Sequence, residues 1–250
     1  MLKKLLVASL VAFVGICCCS TTDAAKKEPK PVVTLPTHTH TDYCNDTLAE
    51  PLQIVCILDR SGSMHPLVTD TIGGYNSFLH EQKKKPGRAE VTTVLFDDKY
   101  EKTVDAVALD EVPEMTDKEY YARGMTALLD AVGRTITETL GNMEKNNVCP
   151  EKRKVLFLIM TDGQENNSQE YNKQTVKALI ELTKDKYHWN YVFMGANIDS
   201  VAEAAAMGID AKHAANYAHT ADGVKQSFAR MTAAVDEVRE TGTVGEDWKK

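Results

Sequence analysis

Positive charge is in short supply in this chain: 29 Lys and Arg stand against 36 Asp and Glu, for a net charge of −7. No basic stretch with interleaved aromatics offsets that balance, and the sequence pI is near 5.5. A phosphate-rich surface such as nucleic acid has nothing to bind, so none is expected as a partner. Signatures of common catalysis are missing too. There is no GxxxxGKS or GxxxxGKT phosphate loop, no serine nucleophile with a suitably spaced His and acid, and no visible internal repeat. What is present suits a globular protein. With 250 residues and 43% hydrophobic content the chain has enough apolar material for a full core, and its length suits one large domain with tails.

The N-terminus reads as a leader. Lys3 and Lys4 precede about fifteen apolar residues, the layout of a secretory signal rather than of a spanning helix. Residues 1–24 are therefore assigned to a signal peptide, and the protein is expected to be exported. Two processing routes are open. Thr22, Asp23 and Ala24 offer an ordinary cleavage site, while the Cys17, Cys18, Cys19 cluster resembles a bacterial lipoprotein signal. Such signals want a small residue before the modified Cys, and Ile16 stands there instead. The expected location is the cell envelope, by a lipid anchor, or the periplasm or exterior, with membrane attachment only through the N-terminus. Residues 25–50, rich in Lys, Pro and Thr, read as a linker. His38, His40, Asp42 and Cys44 alternate within it, but no second cluster completes a coordination shell, so the polar-linker reading is preferred to a metal site.

From residue 51 onward strands alternate with helices. Apolar or β-branched runs at 54–58, 91–96, 102–109, 155–160, 189–194 and 213–217 have strand length, and those at 91–96 and 102–109 are joined by Asp97, Asp98 and Lys99 as a hairpin. Amphipathic helices are expected from Pro66, in the first turn, to about Lys83 and over 173–186, with a long helix after Thr126 to Met143, a small-residue helix over 200–207 and a closing helix over 222–239. This alternation implies an α/β fold, an open, mainly parallel, doubly wound sheet with helices on both faces. The hairpin makes one edge strand antiparallel. The folded domain is assigned to 51–241, with 242–250 as a C-terminal tail.

The stretch 53–64, QIVCILDRSGSM, organises the rest. Its apolar run breaks abruptly at Asp59 into Arg60, Ser61, Gly62 and Ser63. Asp59, Ser61 and Ser63 carry oxygen at every second position, so in an extended backbone they project to one side and can converge on one object. A hard cation such as Mg²⁺, which takes six oxygen ligands at about 2.0–2.1 Å, is the natural candidate.

DRSGSM after an apolar strand, Thr126 in GMTALLDA and Asp162 in LFLIMTDGQEN together resemble the von Willebrand factor A (VWA) family with its metal-ion-dependent adhesion site. The resemblance covers about Pro51 to Thr241 and implies the Rossmann-like fold of that family. It further implies that Ser61 and Ser63 bind the metal, Mg²⁺ or Mn²⁺, through hydroxyl oxygen, with Asp59 holding their geometry and a water. Thr126 and Asp162 would ligate directly or through water. A sixth position is then open to an Asp or Glu of a protein partner, which makes the expected function adhesion or scaffolding rather than catalysis. In the strand order implied, Cys44 and Cys149 sit at the N-terminal ends of neighbouring strands, and a disulfide between them is expected in an oxidising compartment. Cys56, inside an apolar strand, reads as a buried small hydrophobe.

Plainer readings stand beside these. Asp59 also suits a strand-end turn, Ser61 and Thr126 suit helix caps, and Asp162 with Gly163 suits a turn. Asp130, one helical turn after Thr126, is either solvated or supports the site. Asn197 and Asp199 are turn residues or rim the crevice, His65 is a surface residue, and Arg60 and Met64 receive no role. Two other functions remain open: a metal-dependent hydrolase or phosphoesterase, and a structural envelope component whose metal only stabilises loops. An aspartyl-nucleophile phosphatase would want a second carboxylate where Ser61 stands.

Overall fold

A computed structural model describes residues 50–250. The expectations for the leader, the linker and its His38, His40, Asp42 and Cys44 fall outside the described residues. Six strands form one sheet: β1 (Leu52–Asp59), β2 (Ala89–Phe96), β3 (Tyr100–Ala108), β4 (Val155–Thr161), β5 (Asn190–Gly195) and β6 (Ala214–Asn216), in the order β3-β2-β1-β4-β5-β6. All pairs are parallel except β2 with β3. Every residue of β1, β4 and β5 is buried, which explains continuous apolar runs instead of alternation: both faces of these strands are covered. On the edge, β3 exposes Glu101, Asp105 and Ala106, and the charges discourage pairing with another chain.

The alternation of side chains along β1 divides the core in two. Ile54, Cys56 and Leu58 face a layer built from α1 (Val68–Lys83) and α5 (Ala221–Thr241), with Tyr75, Phe78, Phe228, Met231 and Val235. Val55 and Ile57 face the opposite layer, built mainly from α2 (Leu128–Lys145) and α3 (Lys173–Tyr187), with Val132, Ile136, Leu140, Val176 and Ile180. A short α4 (Ser200–Ala206) adds Ala204 to that side. Helices α1 and α5 approach closely at Gly74, where a Cβ would stand 2.2 Å from the Phe228 ring. Local chemistry sets helix ends: Asn172 accepts from the Thr175 N–H, Asp199 from Ala202 and Thr220 from Gly223, while Gly242 closes α5 at φ +85°.

Two boundaries differ from expectation. Pro66 lies in a 3-10 turn, Gly62–Leu67, that precedes α1 and is not part of its first turn. Residues 242–250 are no free tail: Val244 and Trp248 are buried, and the Trp248 indole donates to the Lys212 carbonyl at 3.2 Å. A Trp spends its large apolar area best inside, and its N–H finds a partner there. Cys56 is free and buried, and burial pushes its thiol up to about 12. Cys149 is buried and disulfide-bonded; Cys44, its expected partner, lies outside the described residues. Among the described residues no helix is long and apolar enough to cross a membrane.

Candidate metal centre

Because β1 and β4 are parallel neighbours, their carboxyl ends open on the same edge of the sheet, where ligands of open α/β sheets bind. Asp59 ends β1 and is buried. Its Oδ1 accepts the Ser61 N–H at 2.6 Å, and its Oδ2 accepts the Thr161 hydroxyl at 2.6 Å. The Asp59 carbonyl takes the Tyr120 hydroxyl at 2.5 Å. Burial pushes the Asp59 carboxyl up to about 6, with the Thr161 and Ser61 hydrogen bonds opposing the rise and the nearby Asp162 adding to it. An anion is thus held where water solvates it poorly, a position that a bound cation would relieve.

The hydroxyls converge beside it. Ser61, extended at φ −60° and ψ 169°, stands at the N-terminus of the 3-10 turn but does not cap it. Its Oγ lies 3.1 Å from Ser63 Oγ, which donates to Asp162 Oδ1 at 2.6 Å. Thr126 caps nothing either, since α2 begins after Ala127. Its Oγ1 and Ser63 Oγ both stand near Gly163, 3.7 and 3.8 Å from where a Cβ would be. Hydrogen bonds thus link Asp59, Ser61, Ser63 and Asp162 in a chain, and Thr126 stands near them beside Gly163. Two oxygens side by side on an octahedral Mg²⁺ with bonds of ~2.1 Å stand about 3 Å apart, so the 3.1 Å between Ser61 Oγ and Ser63 Oγ fits such an ion. The donors are mostly neutral hydroxyls, and among the described residues no group of three or more His, Cys, Asp or Glu is arranged to hold a metal. This donor set suits a hard cation rather than a thiophilic one.

The loops are fastened to each other from behind. Arg60, assigned no role from sequence, is fully buried: its Nε donates to Asp97 Oδ2 at 3.0 Å, one Nη to the Glu119 carbonyl at 2.9 Å, and the other pairs with Glu101. Arg123 Nε reaches the same Asp97 oxygen at 2.7 Å. Burial alone would raise the Asp97 carboxyl, yet the Arg123 hydrogen bond, the Lys99 N–H and the Arg60 charge hold it below the usual carboxylate range. Asp97 and Lys99, read as hairpin turn residues, are thus also an anchor. Backbone bonds complete the clamp, from Arg123 N–H to Arg60 C=O at 2.9 Å and from Gly62 N–H to Gly124 C=O at 3.2 Å. Glycine suits position 124, where φ is +68°, a conformation that strains other residues, and a Cβ would displace the Asp98 carboxyl, 1.9 Å away.

Thr126 is fixed by the loop that follows Asp162. Its N–H donates to Asn166 Oδ1 at 2.9 Å, and its carbonyl accepts from Asn166 and Asn167. Asp130 supports this loop by accepting the N–H groups of Gln169, Glu170 and Tyr171 at 2.6–2.9 Å. Asn197, at φ +57°, donates to the Asp162 carbonyl at 3.3 Å, whereas Asp199 serves as the α4 cap. His65 is exposed. His219 Nε2 lies 2.8 Å from Asp162 Oδ2, a contact that sequence reading missed. Its one signal was position: it follows β6, at the same end of the sheet.

No protein-family model and no curated protein matches the sequence. Solved structures do. A von Willebrand factor type A structure from Catenulispora acidiphila aligns at 15% identity and a TM-score of 0.51, over 74% of this chain and 42% of that one. Proximal thread matrix protein 1 from the mussel byssus aligns at 14% identity and 0.49, over 74% and 46%. The manganese-loaded TRAP protein of Plasmodium vivax aligns at 16% identity and 0.47, over 68% and 70%. The chain spans less than half the length of the first two. It folds as a VWA-like domain, with the mainly parallel six-stranded sheet and single antiparallel strand of that fold.

Proposed function

We propose that Asp59, Ser61, Ser63, Thr126 and Asp162 hold a divalent cation, Mg²⁺ or Mn²⁺, and that the domain binds an acidic residue of a protein partner there. One observation carries the reading: Ser63 Oγ, on the loop after β1, stands 3.1 Å from Ser61 Oγ and 2.6 Å from Asp162 Oδ1, on the loop after β4, beside the buried Asp59 carboxyl. Ser61, Ser63 and Thr126 would offer neutral hydroxyls, and Asp59 and Asp162 together supply two negative charges. When bound, the ion would present positive potential to an incoming carboxylate, because its own shell is rich in neutral donors. The chain is taken to act by binding and not by catalysis, since Ser61 occupies the place where an acid–base carboxylate would be needed. Export, through residues 1–24, belongs to the same proposal.

Calorimetric titration of Mg²⁺ and Mn²⁺ tests the metal, with binding expected in the wild type and lost in Asp59→Ala. Equal binding by that variant refutes the assignment. Partner capture from envelope extracts, in Mg²⁺ and in EDTA, tests the role. Capture indifferent to chelation would make the ion a loop stabiliser only, and phosphoester turnover lost in Asp162→Asn would favour an enzyme.

A further inference from the structure

Asp162 is held by Ser63 of the motif and by two loops that lie outside it. Its Oδ1 takes the Ser63 hydroxyl at 2.6 Å, its Oδ2 faces His219 Nε2 at 2.8 Å, and its carbonyl takes the Asn197 amide. An ionised carboxylate only accepts hydrogen bonds, so toward an ionised Asp162 it is the Nε2–H tautomer that fits, and in that tautomer Nε2 has no lone pair to offer a metal. His219 is also held in place. It sits between β6 and α5, where the Tyr217 N–H donates to the Gly195 carbonyl at 3.0 Å and Thr220 caps α5. At Gly223 a Cβ would fall 1.9 Å from the Ala218 carbonyl, so the loop lies tight against the first turn of that helix. The imidazole is three-quarters buried and meets Asp162 from the side away from Ser63.

We infer that His219 is a positioning residue of the metal centre. By holding Oδ2 it turns Oδ1 toward the serine hydroxyls and the ion, and it keeps the carboxylate from rotating or from engaging the ion with both oxygens. Partners that orient a ligating carboxylate typically affect metal affinity by about 10–100-fold when removed. The inference rests on the proposed metal site, and it adds a residue from the last loop of the sheet to a set drawn from β1, β4 and the start of α2.

The test is calorimetric titration of Mg²⁺ and Mn²⁺ into the full-length protein and three variants. His219→Ala removes the ring, His219→Phe keeps a ring but no donor, and His219→Gln keeps an N–H of similar reach. The Ala and Phe variants are expected to bind about 10–100-fold more weakly, and Gln within about threefold of wild type. Melting in EDTA should leave Phe and Gln near wild type; should Ala not fold, the comparison of Phe with Gln decides. Unchanged or tighter binding in Phe overturns the inference, and so does an equal loss in Phe and Gln, which would mark a packing role. Binding by wild type with no effect of these variants refutes the role of His219 alone, whereas no binding by wild type refutes the metal centre as well.

Discussion

Replacing Asp59 by Asn separates the cost of this carboxylate from its use. A buried carboxyl moved from 3.8 to about 6 costs the folded state about 3 kcal/mol once ionised. Below pH 3.8 both states are protonated and the cost is absent; it grows as pH rises through about 4 to 6 and is complete above. Without metal, lowering the pH from 7.5 to 5 should therefore stabilise the protein through this group. Carboxyls held below their usual value, such as Asp97 and Glu138, lose their contribution only at lower pH, so the windows separate. In Asp59→Asn the amide oxygen keeps the Ser61 N–H, and the Thr161 hydroxyl turns to accept from the amide nitrogen. Allowing for the weaker neutral hydrogen bonds, a gain of about 2 kcal/mol is expected at pH 7.5 in EDTA. For a domain of this size that corresponds to a rise in Tm of about 4–8 °C. Thermal unfolding followed by circular dichroism, at pH 5 and 7.5, with EDTA or with Mg²⁺, gives four readings per protein. Mg²⁺ should raise the wild-type Tm and leave the variant unmoved. A variant less stable than wild type in EDTA at pH 7.5 would refute the reasoning, because the hydrogen bonds to the charge would then outweigh its desolvation.

Asp97→Ala leaves the buried Arg60 guanidinium with Glu101 as its one paired carboxylate and the Glu119 carbonyl, and a loss of about 3–5 kcal/mol is expected in urea titration; a loss under about 1 kcal/mol would show that the anchor is not needed. Gly133→Ala drives a methyl to within 2.2 Å of the Tyr171 ring, and overpacking of about 1–3 kcal/mol should appear in the same assay. An unchanged midpoint would mean that the loop after Asp162 yields freely. Tyr217→Phe removes a buried hydroxyl that has no hydrogen-bond partner among the described residues, and it should leave the protein as stable or stabilise it by about 1 kcal/mol. Clear destabilisation would reveal a partner for that hydroxyl.

What was legible in the sequence was what short-range pattern controls. The run 54–58 announces a strand covered on both faces, and the alternation Asp59, Ser61, Ser63 marks a loop whose oxygens share a side. Thr126 and Asp162 were found through the resemblance, at the ends of elements that the apolar pattern had already delimited. Arg60 was not legible because its meaning depends on Asp97, 37 residues away, and its local surroundings are all small and polar. His219 was missed for the same reason at a separation of 57 residues. Trp248 was read as tail because nine residues show no period; its burial is decided by Lys212 and the end of α5, which pattern alone does not bring near.

The division of charge across the site follows from how weak a ligand a neutral hydroxyl is. A hydroxyl contributes little attraction to a cation, so a site built on Ser61, Ser63 and Thr126 cannot also spend free energy on ordering three loops at the moment of binding. The structure places the strong interactions elsewhere: Arg60, Asp97 and Arg123 form a buried ion network on the far side of the same loop, and backbone bonds tie Arg60 to Phe96 and Arg123 and tie Gly62 to Gly124. Such a network adds little net stability against an apolar replacement, which makes its value here geometric. The full charges fasten the loop from behind, so that under the proposed function the uncharged oxygens would face an ion without being ordered at the moment of binding, and would leave its charge largely unspent for a partner's carboxylate.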